Sequence, residues 1–349
     1  AQCGLTKFDI PSQMTYNQNH NRILGSWKEA PLKFGVIIVT YNRLELLKEC
    51  INCVLGQTVP FSRVCIVDNH SSDGTGAYLE GLTDAAENRP DSPALDICRL
   101  EQNLGGAGGF AYGMNRLANT DCDWLLIIDD DAMIAPDYIA ELQKAVLHTD
   151  YLAYSGTVTT AGAIDTSHRR FLKNPYLMFY EPVPETAYGT PFFEYDISTF
   201  CGLLVKTSLV REIGLPKTEY FIWFDDTEYC MRFHRRSRIL NVNTAVLNHK
   251  TAVPGQAPLI GWKNYYGFRN AIDIGRTYSK CPPLYMAYIT ANHWAHIAVD
   301  TLLSLAGNQR ELRGYRIQVY RDVLRGRHKA PDGPSFRYLP GSGPGQPSR

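Results

Sequence analysis

Between Trp124 and Met133 the chain reads Trp-Leu-Leu-Ile-Ile-Asp-Asp-Asp-Ala-Met, an apolar run that passes directly into three carboxylates. An unbroken run of this kind suits a strand covered on both faces, as in a parallel sheet. Charge cannot continue into such a core without a large desolvation cost. Asp129, Asp130 and Asp131 are therefore expected where the strand leaves the sheet, the edge at which open α/β sheets bind ligands. Three adjacent acids repel one another unless a cation sits among them. Hard divalent metals take such oxygen ligands and bridge to phosphate oxygens. The competing reading is an acidic loop ahead of a helix that has Pro136 in its first turn.

The flanking pattern supports the sheet. Phe34 to Thr40 and Arg63 to Val67 are β-branched runs that end at Tyr41-Asn42-Arg43 and at Asp68-Asn69. Leu44 to Leu55 has helical spacing, a short helix is expected near residues 76–82, a strand over Leu95 to Leu100 and a helix over Gly109 to Ala118. Strand and helix alternate as in a doubly wound parallel sheet. Beyond Pro136 the pattern predicts a helix to about His148 and a strand over 151–160. Residues 168–195 read as loop or hairpin, 196–206 as a strand and 207–213 as a short helix. An aromatic strand over Tyr220 to Phe224 then leads into Asp225-Asp226 and a helix to Arg236, and a strand over Ile239 to Leu247 ends at Asn248-His249. Residues 261–278 and 284–324 read as helical. Residues 1–33 are a polar lead-in, and the Gly-, Pro- and Ser-rich tail 330–349 has the composition of a disordered segment.

Composition narrows the function. A hydrophobic content of 44% supports a real core, and a formal net charge of zero argues against nucleic-acid binding. The nine cysteines are odd in number and scattered, which fits reduced thiols in a cytoplasmic enzyme. Cys50 and Cys53 fall inside an expected helix without a second pair, so they read as packed thiols. No secretory signal opens the chain. No charge-free run reaches the roughly 18 residues of a spanning helix.

Several residues carry chemistry. Asp68 ends a strand as Asp129 does; it reads either as an acceptor for a nucleobase imide N–H or as the start of an Asp-Asn-His-Ser-Ser turn. In Asn103-Leu-Gly-Gly-Ala-Gly-Gly-Phe110 the glycines admit close backbone approach to a ligand. Gly106, Gly108 and Ala111 also satisfy a dinucleotide-binding G-x-G-x-x-A. Against that, Asp129 opens a triplet where a ribose ligand needs no companions. Asp225 could cap a helix with Glu228 as its partner, which leaves Asp226 to face a cleft beside Trp223 as a general base. His249 becomes a metal candidate by ending a strand near the acids, and an imidazole among carboxylates favours manganese. Lys263 and Arg269 read as diphosphate contacts or as solvated helix charges. The basic, aromatic segment 285–329 reads as a helix lying on an anionic membrane surface or packed on the catalytic domain or a partner subunit.

Val36-Ile-Ile-Val-Thr-Tyr-Asn-Arg43, Val67-Asp-Asn69, the Asn103–Phe110 stretch, Asp129-Asp-Asp131, Trp223-Phe-Asp-Asp-Thr-Glu228 and His249 occur in that order. Together they resemble the inverting family 2 glycosyltransferases of the GT-A fold, most of all the bacterial galactofuranosyltransferases, with the rhamnosyltransferases close behind. The resemblance implies an α/β fold with a mainly parallel, Rossmann-like sheet flanked by helices. It covers a catalytic domain over 34–270, with a nucleotide-sugar half to 150 and an acceptor half from 151, and leaves a C-terminal helical region over 271–329. It implies that Thr40, Asn42, Asp68 and Asn103 hold the uridine end of a UDP-sugar, with Arg43, Gly105, Gly106, Asp129 and Asp130 completing that site. Asp129, Asp131 and His249 would bind Mn2+ or Mg2+, Asp226 would be the base, and Trp223 and Asp225 would line the acceptor site. The paired aspartates are followed here by Thr227, a departure on the acceptor side. The expected reaction moves galactofuranose from UDP to a glycan or glycolipid acceptor, in the cytoplasm or on the cytoplasmic membrane face. Homo-oligomerisation stays open. The alternatives are a dTDP-rhamnose donor, an NAD-dependent dehydrogenase, or a nucleotide-sugar-binding scaffold without turnover.

Overall fold

A computed structural model of the protein describes residues 31–87, 93–251, 262–303 and 310–324. The expected lead-in up to residue 30 and the tail 330–349 lie outside the described residues. In chain order the first elements are β1 (Phe34–Thr40), α1 (Leu44–Leu55), β2 (Arg63–Asp68), α2 (Thr75–Glu87), β3 (Ala94–Arg99), α3 (Gly105–Ala118), β4 (Trp124–Asp129), β5 (Ala132–Ile134) and α4 (Tyr138–His148). There follow β6 (Ala153–Thr160), β7 (Ala163–Ile164), β8 (Arg169–Asn174), β9 (Phe179–Pro182), β10 (Phe192–Tyr195), β11 (Ile197–Ser198), β12 (Leu203–Lys206), α5 (Thr207–Ile213), α6 (Asp225–Phe233) and β13 (Ile239–His249). The last described helices are α7 (Lys263–Tyr278), α8 (Pro282–Leu303) and α9 (Arg310–Val319).

The apolar runs become the centre of the main sheet, whose order is β10-β13-β6-β12-β4-β1-β2-β3. Strands β3, β2, β1 and β4 are mutually parallel, and β12 joins β4 antiparallel. The chain runs outward from β1 to β3 and then returns to place β4 on the other side of β1. That reversal opens a crevice at the carboxyl ends of β1 and β4, where Thr40 and Asp129 stand. One sheet therefore runs through both expected halves, because β12 pairs with β4. On α1 the buried residues Leu47, Cys50, Ile51 and Val54 follow the i, i+3, i+4, i+7 stripe of an amphipathic helix.

Three expectations need correction. Helix α3 begins at Gly105 rather than Gly109, so the glycine cluster is helical. Glycine disfavours helix by about 1 kcal/mol per residue relative to alanine, but packing overrides it here. A Cβ at Gly109 would stand 2.5 Å from Val39 and one at Gly113 2.4 Å from Ile37, so only bare backbone lets α3 lie this close to the sheet. The strand expected over 196–206 splits into β11 and β12, with β11 in a separate small sheet beside β8 and β9. The aromatic run Tyr220 to Phe224 is a turn and loop rather than a strand. Of the helical stretch expected over 284–324, the described residues form α8 and α9, and 304–309 lie outside the described residues.

The small sheet is stitched to the large one by Arg169, which is fully buried. Its Nε donates to Gly156 O and Asn241 Oδ1, its Nη1 to His168 O and Ser198 Oγ, and its Nη2 to Gly156 O and Cys201 O. Among the described residues no helix is long and apolar enough to cross a membrane. Leu284, Val299, Leu302 and Leu303 of α8 are exposed.

Arg169→Met keeps most of the volume and strips the hydrogen-bond donors from several buried carbonyls. The expected loss of stability is about 3 kcal/mol, read as a lower urea midpoint with an unchanged m-value.

Candidate active site

The acidic triplet is a turn between two strands. β4 ends at Asp129 and the chain resumes as β5 at Ala132, which pairs antiparallel with β13 so that His249 faces Ala132. Lys250 N donates to Asp131 O at 2.8 Å, which locks that register. The pairing carries His249 onto the acids, with Nε2 3.2 Å from Asp131 Oδ1. Ligand atoms of Asp129, Asp131 and His249 all lie within 4.8 Å of one another.

The mutual repulsion of the triplet is partly met by a cation from the protein itself. Arg43, at the end of β1, places Nη2 2.5 Å from Asp130 Oδ1 and Nη1 2.5 Å from Asp131 Oδ2. Asp130 is fully buried, and Thr40 Oγ1 donates to its Oδ2 at 2.6 Å. Burial nevertheless pushes the Asp130 carboxyl up to about 7. Burial, then the Asp131 charge, pushes Asp129 up to about 6. Asp131 is held below the usual carboxylate range, because the His249 hydrogen bond and the Arg43 charge overcome the opposing effect of burial. His249 is raised by the same partnership against its own desolvation. From α1, Cys50 Sγ lies 3.5 Å from Ala132 O and 3.7 Å from Asp129 O, so the packed thiol donates to the turn carbonyls.

A divalent cation fits this donor set. The forces acting on the Asp129 carboxyl are burial and charge, without a hydrogen bond. His249 Nδ1 is buried without a hydrogen bond, and Asp131 Oδ1 has only the His249 Nε2 contact at 3.2 Å. Two carboxylates and one imidazole form an oxygen-rich set suited to Mn2+ or Mg2+. His168 stands edge-on to His249 with ring centroids 5.1 Å apart, and Cys201 completes a second possible cluster with both histidines. His168 Nδ1 is already engaged with Thr199 Oγ1 at 2.7 Å.

The acids border a cavity of about 1010 Å³. On the side expected to take the nucleotide it is lined by Thr40, Asn42, Arg43, Asn103, Gly105, Gly106 and Asp129; on the side expected to take the acceptor it is lined by Trp223, Asp225 and Asp226; and His249 reaches it as well. Asp68, Asp130 and Asp131 are not among the lining residues. Asp68 is fully buried: its Oδ1 accepts from Ser71 N at 2.8 Å and its Oδ2 lies 3.5 Å from Arg99 Nε. Asp68 starts the turn through Oδ1, and its Oδ2, buried without a hydrogen bond, is the oxygen left for the expected nucleobase contact. Its neighbour Asn69 lines the cavity instead and ties Leu104 N and Gly105 O to the turn. Asn42 has a left-handed backbone (φ 52°), and its Oδ1 accepts from Ser72 N.

Lys263 lines the cavity, whereas Arg269 does not; Arg269 is buried, its Nη2 donating to Glu219 O. Partial desolvation and the Arg43 charge hold the Lys263 ammonium below its usual value. The sequence pattern favoured a solvated charge at Lys263, and it gave no signal for His168 or Cys201, which also line the cavity.

The acceptor-side acids open α6. Its N-cap is Phe224, and no side chain caps it. Glu228, the expected capping partner of Asp225, is instead bound by Arg232 and by Tyr278 Oη at 2.7 Å. Asp225 is buried, and burial, then the Asp226 charge, raises its carboxyl well above the usual range. Asp226 Oδ1 accepts from Thr227 Oγ1 at 2.9 Å, and that hydroxyl accepts from Arg170 Nη2 at 2.9 Å. Thr227, the departure noted in the sequence, thus holds the carboxylate by one oxygen. Ahead of the acids, Phe221, Trp223 and Phe224 all have positive φ (60°, 64° and 67°). Such conformations cost about 1–3 kcal/mol each in bulky residues.

Residues 35–205 match the model of glycosyl transferase family 2. The chain belongs to that family. This glycosyltransferase is 25% identical over 205 residues to galactofuranosyltransferase GlfT1 of Mycolicibacterium smegmatis, a match covering 57% of this chain and 63% of that protein. It therefore spans less than two thirds of that relative's length. In fold it is similar to GalNAc-T7 crystallised with UDP, GalNAc and Mn2+ (TM-score 0.58, 12% identity, 84% of this chain and 57% of the other). It is also similar to S. aureus TarS 1–349 in complex with UDP-GlcNAc (TM-score 0.55, 15% identity, 83% and 80%). The fold is GT-A. The dinucleotide-fingerprint alternative falls with these findings: α3 follows the edge strand β3, and a Cβ at Gly108 would meet Leu104 at 2.4 Å, not a ligand.

Gly105 joins the two sides of the site. Its φ is +72°, and a Cβ there would stand 2.0 Å from Phe221 O. Gly105→Ala is expected to cost about 2–5 kcal/mol, measured as a fall in the melting temperature.

Proposed function

We propose that this protein is a metal-dependent inverting galactofuranosyltransferase that moves galactofuranose from UDP-galactofuranose to a lipid-linked or polysaccharide acceptor. One observation carries the reading: Asp129, Asp131 and His249 converge within 4.8 Å, and Asp129 and His249 line the cavity that Asp226 also lines. The galactofuranosyltransferase relative supports the sugar, and the UDP-containing structural neighbours support a nucleotide-sugar donor.

Asp129, Asp131 and His249 hold the cation, which when bound offsets the negative charge that develops on the departing diphosphate. Arg43 and Lys263 add positive charge on the same wall. The Trp223 ring, 44% exposed, gives the apolar face of a sugar a surface to stack on. Thr227 N and Oγ1 both donate to Asp226 Oδ1, so Oδ2 is the oxygen that takes the proton of the incoming hydroxyl. The new bond from that hydroxyl oxygen forms as the bond to the diphosphate breaks, on the opposite face of the anomeric carbon. The centre inverts in one displacement, and no covalent sugar–enzyme step is needed. The exposed apolar residues of α8 are the surface we assign to peripheral contact with the membrane that carries a lipid-linked acceptor.

The deciding experiment is a UDP-release screen over nucleotide sugars with Mn2+ or Mg2+, followed by linkage analysis of the product. Release from UDP-galactofuranose is expected; turnover of dTDP-rhamnose instead would replace the donor, and binding without release would leave a scaffold. Asp226→Asn is expected to lower kcat by about 10²–10⁴-fold while UDP affinity stays unchanged. For Asp131→Ala, calorimetry should show loss of the Mn2+-dependent part of UDP binding; an unchanged affinity refutes the metal assignment.

A further inference from the structure

We propose that Asn270, in α7, is a positioning residue that holds the loop Tyr220–Phe224 in the conformation presenting Asp225 and Asp226 to the cavity. The proposal rests on Asp226 as the base for its kinetic arm only. Phe221 (φ 60°, ψ −58°) sits at the centre of a tight turn in which Ile222 N donates to Tyr220 O at 2.7 Å. Trp223 and Phe224 follow with positive φ, and Phe224 leads straight into the acids at the start of α6. Consecutive bulky residues keep such a backbone only where the surroundings over-determine it.

Asn270 supplies that determination. It is fully buried, and its Nδ2 lies within hydrogen-bond distance of three loop carbonyls: Tyr220 O at 3.0 Å, Ile222 O at 3.2 Å and Trp223 O at 2.8 Å. The orientation of the amide is fixed chemically. Arg269 Nε, which can only donate, points at Asn270 Oδ1 at 3.0 Å, so the amino group must face the loop. Arg269 is fixed in turn by Glu219 O and by the Tyr266 ring, 4.7 Å from its guanidinium carbon. Tyr266 stacks on Phe221 with centroids 5.1 Å apart, and a Cβ at Gly267 would come 2.9 Å from the Trp223 ring. One face of α7 is thus shaped to the loop, and Asn270 brings its amide donors to three of the loop carbonyls. On the other side Phe221 O accepts from Ala107 N at 3.2 Å, so the clamped loop also braces the start of α3. Helix α7 lies beyond the residues that match the family model. Helix α7 is therefore part of the catalytic apparatus rather than an appendage.

Asn270→Asp keeps the size of the side chain and turns its donor edge into an acceptor aimed at carbonyls. The full chain carrying it is expected to lose at least about 100-fold in kcat while its Kd for UDP with Mn2+ stays within about twofold of wild type. Acrylamide quenching of Trp223, read as the difference between matched backgrounds with and without Trp223→Phe, is expected to rise. Asn270→Ala should reproduce both effects if the aspartate variant does not fold. Wild-type kcat and quenching in either folded variant overturn the proposal. So does a parallel loss of UDP affinity and kcat, which marks a general structural role. Increased quenching in a protein whose wild type transfers no sugar would keep the clamp and remove the functional reading instead.

Discussion

The charge at the carboxyl end of β4 is the constraint to which the rest of the site responds. Asp129, Asp130 and Asp131 leave a core strand together, and their proximity makes ionisation of all three costly. The fold answers with Arg43 from the end of β1, Thr40 beside it, and His249 brought in by β13. Each acid ends with a different environment. Asp130 is a buried support for Arg43 and Thr40, Asp131 shares its charge with Arg43 and His249, and Asp129 faces the cavity with the fewest partners. One run of identical residues is thereby divided between buried support and a carboxyl that faces the cavity.

The sheet and much of the site were legible in the sequence because they rest on local signals. Apolar runs marked β1, β2 and β4, the last two ending in acids, and the order of the motifs pointed to the family. What escaped was decided by contacts between distant segments. The glycines from Gly105 to Gly109 read as a ligand-binding loop, yet they are helical because α3 must lie flat against Val39 and Ile37. Tyr220 to Phe224 has strand propensity residue by residue, and tertiary contacts with α7 override it. Asp68 and Asp129 look alike in sequence, but Asp68 commits one oxygen to its own turn and does not line the cavity, whereas Asp129 does. Nothing near His168 announced that it would stand against His249.

The two sides of the cavity are mechanically joined. The α3 start carries Gly105 and Gly106 on the nucleotide side, and the Phe221 carbonyl from the acceptor side rests on it. A ligand that shifts either segment works against packed backbone rather than against mobile side chains. Specificity at such a site is set by where two rigid pieces meet, with Trp223 as the exposed element between them.

The pairing of β5 with β13 has a consequence for the order of events during synthesis. The acidic turn is made early, but its imidazole partner arrives only when the last strand of the sheet has been translated and has docked antiparallel beside it. A ribosome-bound fragment ending before β13 has the neighbouring carboxylates without the imidazole. The cluster of Asp129, Asp131 and His249 is thus a late product of the completed sheet.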